Sequence, residues 1–322
     1  MIKRETDIKA IMKNSLHKYG VVFAFILLCI VVSIITPKFL QVRNLMNILR
    51  QYSVIGILSV GMTLVIISGN FDISVGYICG FCGALLIKLN GEYGVALLPA
   101  VVIVLLAGAL IGCVNGFCVA RIGIPSMIAT LGMGEVVNGA FLLITGGYSL
   151  SIANETLRAV GKGSVIGVPT ITVIFLLTVI LFQFVLKKTR YGRSTYAVGG
   201  NIDAARLSGI KTKQITISAF AICGLLAALS GIVLTARVMN ISPASGSGYE
   251  LDAIAAVVIG GTRVSGGEGN VWRTVMGVLF VGVISNALNL LGVNDYYQYI
   301  LKGGIILLAV GTDCLNRMKR RR

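Results

Sequence analysis

Apolar residues run along this chain in stretches of about 20, the length that crosses roughly 30 Å of hydrocarbon as a helix. They fall near 20–36, 46–68, 73–89, 95–119, 124–145, 168–187, 214–238, 250–262, 271–291 and 296–313. The segment 250–262 is too short to span alone and must be extended by its flanks or remain partial. Residues 1–19 are basic and polar and predict an interfacial helix; no small-residue cleavage site precedes the first apolar run, which is read as retained. Polar residues reappear at 146–166, where a short surface helix fits, and at 188–213. The pattern predicts an all-α polytopic membrane protein with about ten transmembrane helices.

Charge sets the orientation. Of 28 Lys and Arg, five lie in the first 18 residues, seven in 187–213 and five in 317–322. Basic residues beside membrane segments mark the cytoplasmic side. Ten crossings then place the N-terminus, Arg121, the 188–213 loop, Arg263 and the C-terminus in the cytoplasm. The chain divides into an N-terminal segment (1–19), a first transmembrane half (20–187), a cytoplasmic loop (188–213), a second half (214–313) and a basic tail (314–322). The net charge of +16 is explained by this topology, and nucleic acid is not an expected partner. Membrane lipid is.

Composition agrees. The chain is 56% hydrophobic and 12% charged, against roughly 25% charged in soluble domains, and its mean hydropathy is +0.90. Forty glycines point to close helix packing, and Gly108, Gly112 and Gly116 repeat at the four-residue spacing that lets backbones approach. Cys79 and Cys82 form a CxxC inside an apolar run, where cysteine behaves as a small hydrophobe. The single histidine, His17, offers no metal site. No stretch matches GxxxxGK[ST], so the chain has no P-loop, and no nucleophile–base–acid set supports an enzyme.

Two polar breaks interrupt the helical pattern. The first is "SGNFDIS" at 68–74 and the second "GSGYELD" at 246–252. Phe71-Asp72-Ile73-Ser74 aligns with Tyr249-Glu250-Leu251-Asp252, each aromatic, acidic, aliphatic, polar. The helices before them run in opposite directions in this topology, which is the pattern of two inverted-repeat halves with broken helices around a pathway. Acids near membrane depth face water or a partner; Asp72, Glu135, Glu250 and Asp252 are the candidates. Asn70, Phe71, Asp72, Ser74, Tyr249, Glu250 and Asp252 form the expected pathway lining. Capping of the following helices suits Asp72 and Glu250 equally well, and one carboxylate can do both. "GGTRVSGGEGN" (260–270) reads as a Gly-rich turn.

"GNIDAARLSGIKTKQI" (200–215) is a water-compatible helix between two membrane segments. Asn201 suits its N-cap and Gly209 its left-handed stop. Ile202, Ala205 and Gly209 share a narrow face into which another protein can pack.

Asp203-Ala204-Ala205-x-x-x-Gly209 resembles the EAAxxxG coupling loop of ABC-transporter permeases, with Asp in place of Glu. "YGRSTYAVGGNIDAARLSGIKT" (191–212), "SGYELDAIAAVVIGGTRVSGGEG" (247–269) and "LNLLGVNDYYQ" (288–298) are similar to permeases of ribose-type sugar importers, the branch that also carries xylose, arabinose and galactosides. "GMTLVIISGNFDISVG" (61–76) is similar to that family's GMTxVIxxGGIDLSVG, departing at Asn70 and Phe71. The resemblance covers nearly the whole chain from about residue 20.

It implies a ten-helix permease subunit of the bacterial inner membrane. Such a subunit pairs with a second copy or close homologue and imports a pentose or hexose delivered by an extracytoplasmic binding protein. The chain itself then carries no cofactor; ATP and Mg belong to a cytoplasmic ABC ATPase docked on the coupling helix. There Ala205 and Gly209 fit a groove of the ATPase, while Asp203 and Arg206 orient the contact. The alternatives are an ion-coupled secondary transporter using Asp72 or Glu135, a membrane scaffold, and an ABC importer of a ribosylated signal or nucleoside.

Overall fold

A computed structural model describes residues 20–294 together with 296–298, 300, 301, 303, 304, 307 and 311. The segments 1–19 and 314–322, and much of the tenth apolar stretch, lie outside the described residues. Each of the nine apolar stretches before it contains one helix. These are α1 (Gly20–Ile35), α2 (Val42–Ile67), α3 (Val75–Ile87), α4 (Leu97–Phe117), α5 (Ser126–Thr145), α7 (Thr170–Lys188), α10 (Thr212–Val238), α11 (Tyr249–Ile259) and α12 (Val271–Leu290). Three short helices, α6 (Glu155–Lys162), α8 (Arg190–Gly200) and α9 (Ile202–Leu207), occupy the two polar regions. Among the described residues, six helices are long and apolar enough to cross a membrane: α2, α4 with its π-helical extension to Ile122, α5, α7, α10 and α12. The chain is therefore a polytopic helical membrane protein. α3 and α11, the helices that follow the two breaks, are short, with 13 and 11 residues.

α2 and α10 form the centre. Ser230 Oγ on α10 donates to the Val54 carbonyl of α2 at 2.7 Å, and the hydroxyls of Thr63 and Thr274 meet at 2.8 Å between α2 and α12. α2 begins four residues earlier than its apolar stretch, because Asn44 is held in a reciprocal amide pair with Asn286 of α12, both bonds 2.9 Å. In an apolar medium such side-chain bonds replace water as partners.

α4 lies against α10 on glycine. A Cβ at Gly108 would fall 2.5 Å from the Gly224 carbonyl oxygen, and one at Gly116 2.7 Å from the Ile217 Cα. The Gly108, Gly112, Gly116 spacing thus marks a helix interface where backbone touches backbone, and dispersion contacts replace the missing hydrophobic drive. Cys79 and Cys82 are buried, unpaired thiols on α3.

The bundle has two distinct ends. At one, α6 sits beside a two-residue antiparallel pairing of Leu150–Ser151 with Asn240–Ile241, and Arg50 Nη2 of α2 reaches the Lys162 carbonyl at 3.2 Å. At the other lie α8, α9 and the 260–270 turn.

The glycine interface yields a paired expectation. Gly112→Ala places a methyl group on the Phe220 carbonyl and lowers folded stability by about 1–3 kcal/mol, the usual cost of overpacking. Gly132→Ala meets nothing within 4 Å and gains helix propensity, so stability is kept or rises by up to about 1 kcal/mol. Thermal unfolding of both variants in the same detergent checks the contrast; equal melting temperatures would remove the close-approach argument.

Candidate functional site: a helix break, a glycine junction and a capped soluble helix

α2 ends at a left-handed glycine. Gly69 (φ 85°) donates to the Ile66 carbonyl at 2.9 Å and Asn70 N to Val65 O at 3.1 Å, the Schellman pair that ends a helix on glycine. The chain then leaves helical geometry until Val75. Backbone groups freed where the chain is buried must find protein partners, and α5 supplies them. Ser126 Oγ accepts from Phe71 N at 3.2 Å and Thr130 Oγ1 from Ile73 N at 3.0 Å. Asp72 Oδ1 accepts from Ser74 N at 3.0 Å and from Ser74 Oγ at 2.6 Å, while Asn115 Nδ2 of α4 donates to Ser74 Oγ at 2.9 Å. The carboxylate stands where α3 presents its unpaired N–H groups.

The expected pathway lining divides accordingly. Asp72 and Ser74 are fully buried, and Asp252 is 4% exposed; all three are enclosed by the chain rather than facing an open passage. Asp72 holds the break closed because its carboxylate is engaged by the start of α3. Asn70, Phe71, Tyr249 and Glu250 are half-buried. Asn70 Nδ2 turns back to Ser68, at 3.2 Å from its carbonyl and 3.3 Å from its hydroxyl.

The second break packs on the first helix after the first break. A Cβ at Gly76 would strike Glu250 Oε2 and lie 2.5 Å from the Gly246 carbonyl oxygen. Gly80 is as tightly covered by Ser245. The aligned tetrapeptides 71–74 and 249–252 are thereby brought to neighbouring turns through α3.

The 260–270 turn has a mechanical place that its composition alone did not reveal. Gly267 N donates to the Ile67 carbonyl at 2.9 Å, where α2 stops. A Cβ at Gly199 would collide with that same carbonyl, and one at Gly266 would lie 2.8 Å from the Gly69 Cα. Gly267 sits equally close on Gly200. The turn is closed by Arg263 N to Glu268 O (3.0 Å) and by the Arg263–Glu268 ion pair (2.9 Å), and Tyr196 Oη of α8 donates to the Gly269 carbonyl at 2.9 Å. The end of α2, the end of α8 and this turn therefore meet backbone on backbone. α8 leads directly into α9.

α9 is capped at both ends as its sequence predicts. Asn201 Oδ1 accepts from Asp203 N (3.1 Å) and Ala204 N (3.0 Å). Gly209 (φ 80°) donates to Arg206 O at 3.0 Å and Ile210 N to Ala205 O at 3.1 Å. Ala205 departs from the expected contact strip: it is 4% exposed, turned into its own chain. The outward surface is Ile202, Asp203, Ala204, Arg206 and Gly209, with Leu207 at 90% exposed. Leu207 was missed in the sequence, although a large apolar residue in a polar six-residue helix is the available signal. Arg206 and Asp203 pair at 3.6 Å, both exposed, a contact of little energetic weight.

The site is a helical membrane bundle in which α2 stops on a glycine and packs backbone to backbone on α8, the helix that leads into α9. Comparison with known proteins makes this specific. Residues 44–310 match the family described as branched-chain amino acid transport system / permease component, and the chain belongs to that family of ABC-transporter permeases. The ribose import permease protein RbsC of Escherichia coli (strain K12) is 44% identical over 294 residues, covering 90% of this chain and 91% of the relative. RbsC of Bacillus subtilis (strain 168) is 39% identical, covering 92% and 93%. The L-arabinose ABC transporter permease protein AraH of Azospirillum brasilense is 35% identical, covering 95% and 90%. No solved structure matches the chain. The chain is accordingly a permease subunit and not an enzyme, and the ion-coupled and scaffold readings are set aside.

Thr130→Val keeps the shape of the α5 residue but leaves Ile73 N–H without an acceptor. Leaving one buried donor unpaired costs about 1–3 kcal/mol, so the purified variant should melt earlier than the parent. An unchanged melting temperature would mean that α5 does not hold the break.

Proposed function

We propose that this chain is the membrane-spanning subunit of an ATP-driven importer for a pentose or hexose. The observation that carries the reading is α9: a six-residue helix, capped at both ends, standing outside the bundle with Leu207 unpartnered, in a chain of an ABC permease family. The printed activities of its relatives, ribose and L-arabinose transport, supply the substrate class.

The end of the bundle carrying α9 is the cytoplasmic one on this reading. Lys187, Lys188, Arg190, Arg193, Arg206, Lys211 and Lys213 gather there, in accord with the positive-inside rule. A separate ABC ATPase, holding ATP and Mg, docks on α9 through Leu207, Ile202 and Gly209. A second copy of the chain, or a close homologue, completes the pathway. An extracytoplasmic binding protein delivers cargo at the α6 end. The units α2–break–α3 and α10–break–α11 correspond as inverted halves: each long central helix is followed by a glycine-containing break and a short helix.

Movement of α9 reaches the break through the glycine junction. Because Ile67, Gly199 and Gly267 touch through backbone atoms, a displacement of α8 has no flexible side chain to absorb it.

Co-expression with its ATPase and binding protein, followed by sugar uptake into proteoliposomes, tests the reading. ATP-independent uptake would overturn it. Gly209→Leu should abolish uptake while membrane levels stay at the parent value. Losing the left-handed stop costs only about 1 kcal/mol, too little to unfold the bundle, while the new side chain obstructs the docking face. Leu207→Asp should reduce ATPase co-purification in the same way. Arg206→Ala should change uptake less than about fivefold, since an exposed pair is worth roughly 0–1 kcal/mol. A Gly209 variant that binds the ATPase and transports at the parent rate would remove α9 from the coupling path.

A further inference from the structure

We propose that Glu135 and Tyr77, backed by Glu250, form a water-facing wall of the transport pathway, along which hydroxyl-rich cargo passes. The proposal rests on the import reading above and gives a pathway surface to α5, through Glu135, one of the acids singled out in the sequence but outside the expected lining.

Glu135 is the tenth of the twenty residues of α5, a helix of spanning length and apolarity. Thr130, Gly134, Val137, Phe141 and Thr145 make its buried stripe. Glu135 follows Gly134 by one residue, about 100° round the helix, and is exposed. The ion pairs within contact distance are Lys88–Glu92, Asp203–Arg206 and Arg263–Glu268, so among the described residues no cation pairs with Glu135 or Glu250. A carboxylate at the middle of a spanning helix, facing lipid and unpaired, is strongly disfavoured; such residues face a water-filled space or a partner. Ile128, Leu131 and Leu142 are exposed on the same side of α5 as Glu135, and Val136 and Leu143 on the adjoining one, so the carboxylate stands out in an apolar surface.

Other elements independently direct polar groups to the same place. Tyr77, in the first turn of α3, lies over Gly134, where a Cβ would be 3.1 Å from its ring. Glu250 comes to the neighbouring residue, its Oε2 packed against Gly76. Glu250 Oε2, at the start of α11, is shielded from solvent yet accepts no hydrogen bond. A shielded acceptor without a donor is costly unless something else pairs with it. Tyr77 thus lies over α5 next to Glu135, with the shielded Glu250 carboxylate behind it, beside the point where the second break packs on α3.

Carboxylates accept from neighbouring hydroxyls of a sugar, and a phenol both donates and accepts. Such a wall offers repeated weak contacts to a neutral polyol and repels an anionic cargo. A second copy facing it across the passage doubles the wall.

The test uses the complete transporter with its ATPase and binding protein in proteoliposomes. Glu135→Leu should lower sugar uptake at least about tenfold, while Glu135→Gln, which keeps an acceptor, should stay within roughly threefold of the parent. ATPase co-purification should be unchanged in both. Glu135→Cys should gain reaction with a charged, membrane-impermeant thiosulfonate above the background of the native cysteines, and sugar should slow it. Reaction with lipid-soluble reagents only, or parent-rate uptake by the Leu variant, would overturn the wall. If the Leu variant does not insert, the Gln and Cys variants decide alone. If the unaltered transporter moves no sugar with ATP, the import reading fails, while labelling at position 135 still reports whether the face meets water.

Discussion

Stopping a helix inside a packed bundle frees backbone groups that have no water to pair with, and the architecture of this permease follows from how those groups are paired. At the first break the donors of Phe71 and Ile73 go to Ser126 and Thr130 of α5, and the start of α3 is met by Asp72. Asn115 completes the set from α4. Three helices are therefore needed to stabilise one turn. Their relative positions are constrained by hydrogen bonds as much as by apolar packing.

Glycine is the second element of the same design. Where α4 meets α10, and where the end of α2 meets α8 and the 260–270 turn, the contacts are backbone to backbone. Such contacts have little compliance, since there are no rotamers to adjust. In the interior this secures the bundle. At the α9 end it joins the end of α2 stiffly to α8, the helix that leads into α9. Side-chain contacts in the same place would yield before the helices moved.

The carboxylates illustrate how one residue type serves opposite purposes. Asp72 is enclosed and hydrogen-bonded through Oδ1 by Ser74 of the turn that follows it, so its charge is used locally on a helix start. Glu135 and Glu250 carry the same group but leave it facing an open surface or unpaired.

The sequence by itself determined what depends on local chemistry. Stretches of about 20 apolar residues specified membrane helices, because lipid allows little else. Asn201 and Gly209 specified the two ends of α9, because capping and left-handed stops involve neighbours within a few residues. The motifs around 61–76, 191–212 and 247–269 carried the family. The tertiary structure decided what depends on partners far along the chain. It buried Ala205 and exposed Leu207, since which side of a six-residue helix meets the bundle is set by α8 and α10. It enclosed Asp72 while leaving Glu135 outward, since the two differ in their neighbours rather than in their sequence pattern. It gave the glycines of 260–270 a purpose, because Ile67 and Gly199 come to them from elsewhere. Periodicity reports which residues prefer lipid; only packing determines which polar residues meet one another.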